Sequence, residues 1–556
     1  MAKNALSPRR AESSGPQLPP ASANPWLVLV VLCAAIFMLL LDSTIVNVAQ
    51  RKIQVGLDAN LSQIQWVLDA YILTFAVLLL TFGRLGDIFG RRRLFALGLT
   101  IFTLASVLCG ISSWLGDLVG VSGANALIFS RVIQGIGGAL MMPQSLSLLT
   151  VVFPPEKRGA AFGIWGSIVA LGAVIGPVLG GYIVTDYAWE WVFLINVPVG
   201  IAAVIATFMV VPESVDTNAS HAIDWGGVLL SGLGIFALVF ALIEGTSKGW
   251  TSTLIVGLFI ASAILLVAFV LWEKRHSDPI MKLELFQIRN FWVSNVLGGI
   301  ISFGVISMIF PLSAFLQGVL GNSPIRAGLT IVPLSIAMTL TAPFAGRFAD
   351  RFGGRWFLVS GFAIMTLGVS LVVMQIGPGT TWKSLAIPLA VTGLGMGLSF
   401  PPMTTVAMKD VPLRIAGSAS GMINTTRNIG QVLGVAVLGS VLQSRVGAET
   451  SSSLVSTGID ATQRSQIGEL AKANRLDEII RLLPADQRDL LPALLGVLQS
   501  AFSSAVQTTL IVAALVTAVG VVVAILVQNP VRQGAAQTLP VGHADPQAAA
   551  AHVFGE

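Results

Sequence analysis

Apolar residues along this chain fall in long, nearly unbroken blocks, not at the spacing of a half-buried helix or strand. A run of about 20 apolar residues just spans a hydrocarbon core of about 30 Å at 1.5 Å per residue. About fourteen such blocks are predicted to be membrane-crossing helices. They cover residues 26–49, 63–83, 94–114, 124–150, 159–184, 191–211, 226–243, 253–272, 291–316, 326–346, 356–377, 383–407, 415–442 and 505–527. Short polar loops join them. Residues 1–24, rich in Pro, Ser and Ala, and residues 529–556 lack apolar periodicity and are expected to be disordered tails. Segment 443–504 is expected outside the membrane, with two amphipathic pieces, 463–483 and 486–502, lying on its surface.

Composition agrees. Of 556 residues, 54% are hydrophobic and only 11% charged, too few charges for a soluble protein of this size. The net charge of +5 is scattered over short loops with no basic stripe interleaved with aromatics, so nucleic acid is not an expected partner. Cys33 and Cys109 sit inside apolar blocks, as packing residues do. The four histidines lie in loops or the tail without ligand spacing, so no metal site is expected. No G-x-x-x-x-G-K-[ST] run is present, which argues against nucleotide binding, and no carboxylate or His cluster suggests an enzyme.

Charge asymmetry orients the chain. Arg84, Arg91–Arg93, Lys157, Arg158, Lys274, Arg275, Lys282, Arg289, Arg347, Arg351, Arg355, Lys409 and Arg414 fall in alternate short loops. The opposite loops carry few, such as Arg51, Lys52, Lys248 and Lys383. Positive loops stay in the cytoplasm, so both termini are expected there. Arg9-Arg10 precedes a first span too long for a signal core and no small-residue cleavage site follows, so an uncleaved first helix is expected.

The chain repeats itself. Gly83-Arg84-Leu85-Gly86-Asp87-Ile88-Phe89-Gly90-Arg91 follows the second span, and Gly346-Arg347-Phe348-Ala349-Asp350-Arg351-Phe352-Gly353-Gly354-Arg355 follows the tenth. Two related halves are how rocking transporters are built. Six-helix halves would put the second copy after the eighth span, so two helices, 226–243 and 253–272, are read as an insertion. The expected domains are a lobe over 25–212, inserted helices and linkers over 213–285, and a second lobe over 286–528.

Charges inside the spans are the candidate chemistry. A buried arginine in a membrane span costs about 2.5–3.5 kcal/mol on insertion scales, so it must face an acid or a cavity. Arg131 and Gln134 share a polar helix face with Gly135 and Gly138, at i, i+3, i+4 and i+7. Asp42 stands about seven residues, roughly 10 Å, from the outer end of its predicted span, and Arg131 and Asp69 stand at similar depth in theirs. A purely structural ion pair would have the same signature. Gly172, Gly176 and Gly180 make a flat face for close packing, with Pro177 and Gly181 beside it. In the second half, Asn424, Arg427, Gln431 and their neighbours form a polar stripe. No obvious acid in that half matches Arg427, which can meet an anionic substrate group, line water or pair across the cavity.

In order, these motifs resemble the major facilitator superfamily, specifically its fourteen-transmembrane-helix drug:proton antiporter branch, over nearly the whole chain outside the tails. The resemblance implies an all-α integral membrane fold of two six-helix lobes plus two central helices, in a bacterial cytoplasmic membrane. It implies Asp42, Arg131 and Asp69 as proton-coupling residues, and Gly83, Asp87, Gly90, Arg91, Asp350 and Arg351 as a conformational latch. Ile88 stands where the family usually has a basic residue. Gly172, Gly176, Pro177, Gly180 and Gly181 match the antiporter motif, found in exporters more than importers. Phe37, Met38, Trp66, Tyr71, Gln134, Trp165, Asn424, Arg427 and Gln431 are candidate cavity residues, with lipid- or core-facing packing an equal alternative for Phe37, Met38, Trp66, Tyr71 and Trp165. The implied activity is export of small amphipathic compounds by a monomer, driven by protons, with no cofactor and with the lipid bilayer as its setting. Export of a lipid or an endogenous metabolite on the same scaffold is the alternative, and a non-transporting receptor would not need the mid-membrane charges.

Overall fold

The computed structural model describes residues 24–215, 222–306, 308–454, 463–464, 466–468 and 491–528. Its regular structure over these residues is all helical, with no strand among them. The helices are α1 (Pro25–Gly56), α2 (Leu61–Phe89), α3 (Arg91–Gly110), α4 (Ser112–Val119), α5 (Gly123–Val152), α6 (Pro155–Asp186), α7 (Trp191–Leu194), α8 (Asn196–Val210), α9 (Trp225–Lys248) and α10 (Thr253–Glu273). After them come α11 (Arg289–Ile301), α12 (Ile309–Gly318), α13 (Pro324–Phe352), α14 (Arg355–Gln375), α15 (Trp382–Lys409), α16 (Ala416–Ser453) and α17 (Leu491–Ile525). Thirteen helical spans among the described residues are long and apolar enough to cross a membrane. The fifth expected span falls on the 32-residue α6. The tails and most of the expected 463–483 piece lie outside the described residues.

Helix starts follow local chemistry. Asn60 and Gln63 close a reciprocal capping box on α2. Ser122, Asp224, Ser252 and Ser323 each accept a backbone N–H at the starts of α5, α9, α10 and α13. Two expected boundaries are corrected. The helix α1 runs on to Gly56, past the expected 49, because a helix need not stop where its apolar stretch does. Segment 443–504 is also narrower than expected: α16 continues to Ser453, and α17 begins at Leu491. The expected separate surface piece 486–502 is therefore largely the first turns of α17, where Leu498 and Ala501 are buried.

Packing divides the helices into two groups. In the first, α1 lies against α6 and α8, and α5 against α2 and α3; in the second, α13–α15 and α16 gather around α11 and α17. Small residues let backbones approach within and between the groups. A Cβ on Gly137 would sit 2.6 Å from the Phe102 nitrogen of α3, and one on Gly83 would sit 2.7 Å from the Gly417 carbonyl oxygen of α16. The groups meet along α6–α13 and along α2–α16.

The α9–α10 hairpin stands at one side of this seam, against α2 and α16. Ser262 donates to the Gly234 carbonyl at 2.8 Å, and the Trp272 indole donates to Asp224 at 2.8 Å, tying the two helices together. The outer face of α10 exposes Leu254, Ile260, Ile264, Val267 and Leu271, an apolar surface that suits lipid contact. The Gly83–Arg91 turn, followed by Arg92 and Arg93, marks one end of the bundle, the basic end.

Candidate functional site

The deepest polar cluster is built around Asp42 of α1, which is fully buried, as is Arg131 of α5. The guanidinium Nη1 of Arg131 lies 2.5 Å from Asp42 Oδ2. The other carboxylate oxygen accepts from Gln134 Nε2 at 2.8 Å and from Asn196 Nδ2 of α8 at 3.0 Å. Arg131 also donates to the Val67 carbonyl at 3.0 Å and to Gln134 Oε1 at 2.6 Å. Gln134 Nε2 donates onward to Ser106 of α3 at 2.9 Å. The Tyr71 ring of α2 lies 4.2 Å from the guanidinium carbon. Five helices of one group thus hold a buried ion pair with both carboxylate oxygens hydrogen-bonded. A buried pair survives only with such bonds, because desolvating two charges otherwise exceeds their attraction.

Three sequence readings are corrected here. Asp69 does not join the pair. Val67 and Tyr71, four residues apart, share the face of α2 that meets Arg131, and Asp69 projects about 200° from Val67 on the helical wheel. It lies within electrostatic reach of Glu244 on α9 instead. Gln134 is a ligand of Asp42 and not part of an open cavity wall. The depth reckoning on α1 used too short a helix, although the two charges do meet.

At the basic end, Asp87 is fully buried against the start of α16. Its carboxylate accepts from the Gly417 and Ser418 amides at 2.8 Å each, and from the Ser418 hydroxyl at 3.0 Å. The first N–H groups of a helix have no partner in their own helix and carry partial positive charge, so they suit a carboxylate. Arg91 pairs with Asp87 at 2.7 Å and donates to the Leu413 carbonyl at 2.7 Å. Gly90, at φ +107°, turns the chain so that Arg91 can reach back. A strap from the residues after α8 completes the contact: Ser214 accepts from Arg91 at 2.7 Å, and Glu213 lies 3.6 Å from both Arg92 and Arg93. Ile88 is buried at the foot of the hairpin, where it shares a small pocket with Ile223, Val228 and Ile280 and with the charged side chains of Arg84, Asp224 and Asp278.

In the second copy of the turn Arg351 stands where the first has Ile88; it is exposed, its guanidinium 5.4 Å from the Phe352 ring. The Asp350 side chain lies outside the described set. Glu213, Ser214, Ser106 and Asn196 act in these networks although no motif singled out their roles.

The glycine face of α6 meets α1 on either side of Asp42. A Cβ on Gly172 would sit 2.9 Å from Leu40, and one on Gly180 would sit 2.7 Å from Ile45. Gly176 abuts Thr44, and Gly181 instead faces Ile325 of α13 in the other group. The Pro177 side chain lies outside the described set.

The candidate cavity residues scatter. Met38 and Tyr71 are buried in the packed interior, Phe37 packs against the Leu41–Ile45 cluster, and Trp66 lies against Phe240 of the hairpin at 5.7 Å. Met38 and Tyr71 thus complete helix contacts and line no open wall in this conformation, whereas Phe37 and Trp66 are half-buried. Trp165 of α6 is buried and stacks on Phe400 of α15 at 6.3 Å, across the two groups. Asn424 and Arg427 are buried on α16, and Gln431 is half-buried.

The family model described as Major Facilitator Superfamily matches residues 31–435. The chain is 36% identical to the probable actinorhodin transporter of Streptomyces coelicolor, covering 78% of this chain and 75% of that one. It is 34% identical to the multidrug resistance protein Stp of Mycobacterium tuberculosis, covering 80% and 81%. Among solved structures, the proton:xylose symporter XylE superposes with a TM-score of 0.55 at 14% identity, over 82% of this chain and 96% of that one. That last likeness concerns the fold alone.

Proposed function

The chain belongs to the Major Facilitator Superfamily, and we propose that it is a proton-coupled exporter of small amphipathic compounds, a multidrug efflux antiporter of the fourteen-helix branch. The observation that carries this reading is the buried Asp42–Arg131 pair at the heart of one helix group. Export is supported by the glycine face of α6 and by relatives named for multidrug resistance and for actinorhodin transport.

In this reading the two lobes are 25–212 and 286–528, with 213–285 inserted between them. The protein is a monomer in the bacterial cytoplasmic membrane, with the basic end and both termini in the cytoplasm. The Asp87–α16 contact holds that end shut. Asp42 is then in its unprotonated, ion-paired form. Its polar partners all lie in one lobe, so rocking alone does not part them; α1 must shift against α5 and α8 for a proton to enter. The α6 glycine face supplies the route for that shift. It touches Leu40, Thr44 and Ile45 around Asp42 and, through Gly181, the opposite lobe. Protonation of Asp42 frees Arg131 from its counter-ion and loosens α1.

One proton crossing 100 mV supplies about 2.3 kcal/mol, enough for roughly a fifty-fold gradient of a neutral compound. The reading is tested in de-energised proteoliposomes holding a pH dye. Adding an amphipathic cargo dye to one face should drive counterflow of protons, and cargo movement with no proton signal would overturn it.

A further inference from the structure

Two buried arginines described above each have an acid: Arg131 has Asp42, and Arg91 has Asp87. Arg427 of α16 does not. It is 7% exposed, and among the described residues no carboxylate lies within ion-pair distance. Its Nη2 donates to the Thr404 hydroxyl at 2.8 Å, while Nε and Nη1 are buried without a partner. Its guanidinium carbon lies 4.3 Å from the centre of the Phe400 ring. Phe400 in turn stacks on Trp165, whose buried indole N–H is also without a partner.

A cation over an aromatic face recovers only part of what desolvation takes from it, and a buried unpaired charge is the costly case. A guanidinium is also not relieved by losing its proton in the ordinary pH range. The sequence left three roles open for this residue. Pairing across the seam is not seen, since no acid among the described residues of α1–α10 reaches it. What the site lacks is an acceptor with negative charge, next to a flat apolar platform formed where the two helix groups meet.

We propose that Arg427 is the receptor for the acidic group of the transported compound, and that the Phe400–Trp165 stack carries its aromatic body. The preferred cargo is therefore an aromatic amphiphile bearing a carboxylate, sulfonate or comparably acidic oxygen. Arg427 offers a fork of N–H donors for two oxygens, and beyond Phe400 the Trp165 indole N–H is a second unpartnered donor, from the opposite group. A cargo that met both would link the two groups where they are in contact here. This assignment rests on the exporter reading, and binding in the absence of any gradient separates the two.

The test uses the full chain in nanodiscs, with empty nanodiscs subtracted. The probes are anilinonaphthalenesulfonate and phenylnaphthylamine, which share a body and differ in the sulfonate. Wild type should bind the sulfonate at least about tenfold more tightly than the neutral probe. Arg427→Met should erase that preference, leaving the neutral probe within about twofold of wild type, and Arg427→Lys should keep part of it. Equal losses for both probes, or a preference untouched by Arg427→Met, would overturn the assignment. Should Arg427→Met fail to fold, competition on wild type decides: naphthalenesulfonate must displace the bound probe and naphthalenemethanol must not, and equal displacement refutes the site. Gradient-driven movement of the neutral probe, measured separately, reports on the exporter reading alone.

Discussion

Changing Asp42 to Asn removes one charge and almost no volume, so its effect reads the electrostatics of the pair. The carboxylate accepts three bonds, from Arg131 at 2.5 Å, Gln134 at 2.8 Å and Asn196 at 3.0 Å. An amide keeps one acceptor oxygen and turns an NH2 group toward donors. Arg131 is then a buried cation without a counter-ion, and breaking such a pair costs about 3–5 kcal/mol. Arg131→Gln alone leaves the acid unpaired and should cost a similar amount. Asp42→Asn with Arg131→Gln leaves two neutral amides that can bond each other, so the double variant should lose less than the sum. The expected interaction energy is on the order of 2–3 kcal/mol. Unfolding of all four proteins by increasing denaturing detergent in mixed micelles, followed by helical circular dichroism, measures it. Losses that add within about 0.5 kcal/mol would show that the two groups do not depend on each other, and the reasoning would fail.

Further outcomes follow from other contacts. Asp87→Asn weakens the bonds to Gly417, Ser418 and Arg91 together; a single cysteine placed at Ser420, buried against α5, should then react with an aqueous maleimide several-fold faster. An unchanged rate would mean that this contact does not hold the basic end shut. Gly83→Val puts methyls where the Gly417 carbonyl and Gly421 Cα already sit 2.7 and 2.8 Å from a Cβ; transport should fall at least about tenfold, because the overlap costs about 1–3 kcal/mol in the closed state. Normal turnover would contradict that close approach. If the cargo is a monoanion exchanged for one proton, both charges run downhill across an inside-negative membrane, about 4.6 kcal/mol per 100 mV. Valinomycin-imposed potential should then accelerate export of the anionic probe, and indifference to potential would exclude this exchange.

The membrane character was legible because a bilayer demands runs of one length, and charges set in such runs stand out. The Asp42–Arg131 contact was legible for the same reason: hydrocarbon forces a partner on each. Which way a residue points was harder to read. Asp69 matched the pair in depth, yet the i, i+4 relation of Val67 and Tyr71 fixes the contacting face of α2 and leaves Asp69 outside it, a signal present in the sequence but passed over. Gln134 was placed in a cavity because a polar residue on a small-residue face has no address until its neighbours are known. The strap of Glu213 and Ser214 carries no periodicity and depends on where α8 ends relative to α3. Helix ends on α1, α16 and α17 were misjudged because hydropathy marks the lipid boundary, and a helix continues through water while its side chains still find contacts, as Leu498 and Ala501 do.

The central claim is that titration of Asp42 couples proton entry to export. The direct measurement is uptake of an amphipathic dye into everted proteoliposomes under an imposed pH gradient, comparing wild type with the Asp42→Asn, Arg131→Gln double variant. Wild type should concentrate the dye and release it when nigericin collapses the gradient, while the double variant, folded and inserted, should only equilibrate it. Gradient-dependent accumulation by the double variant would contradict the claim and leave the ion pair as architecture.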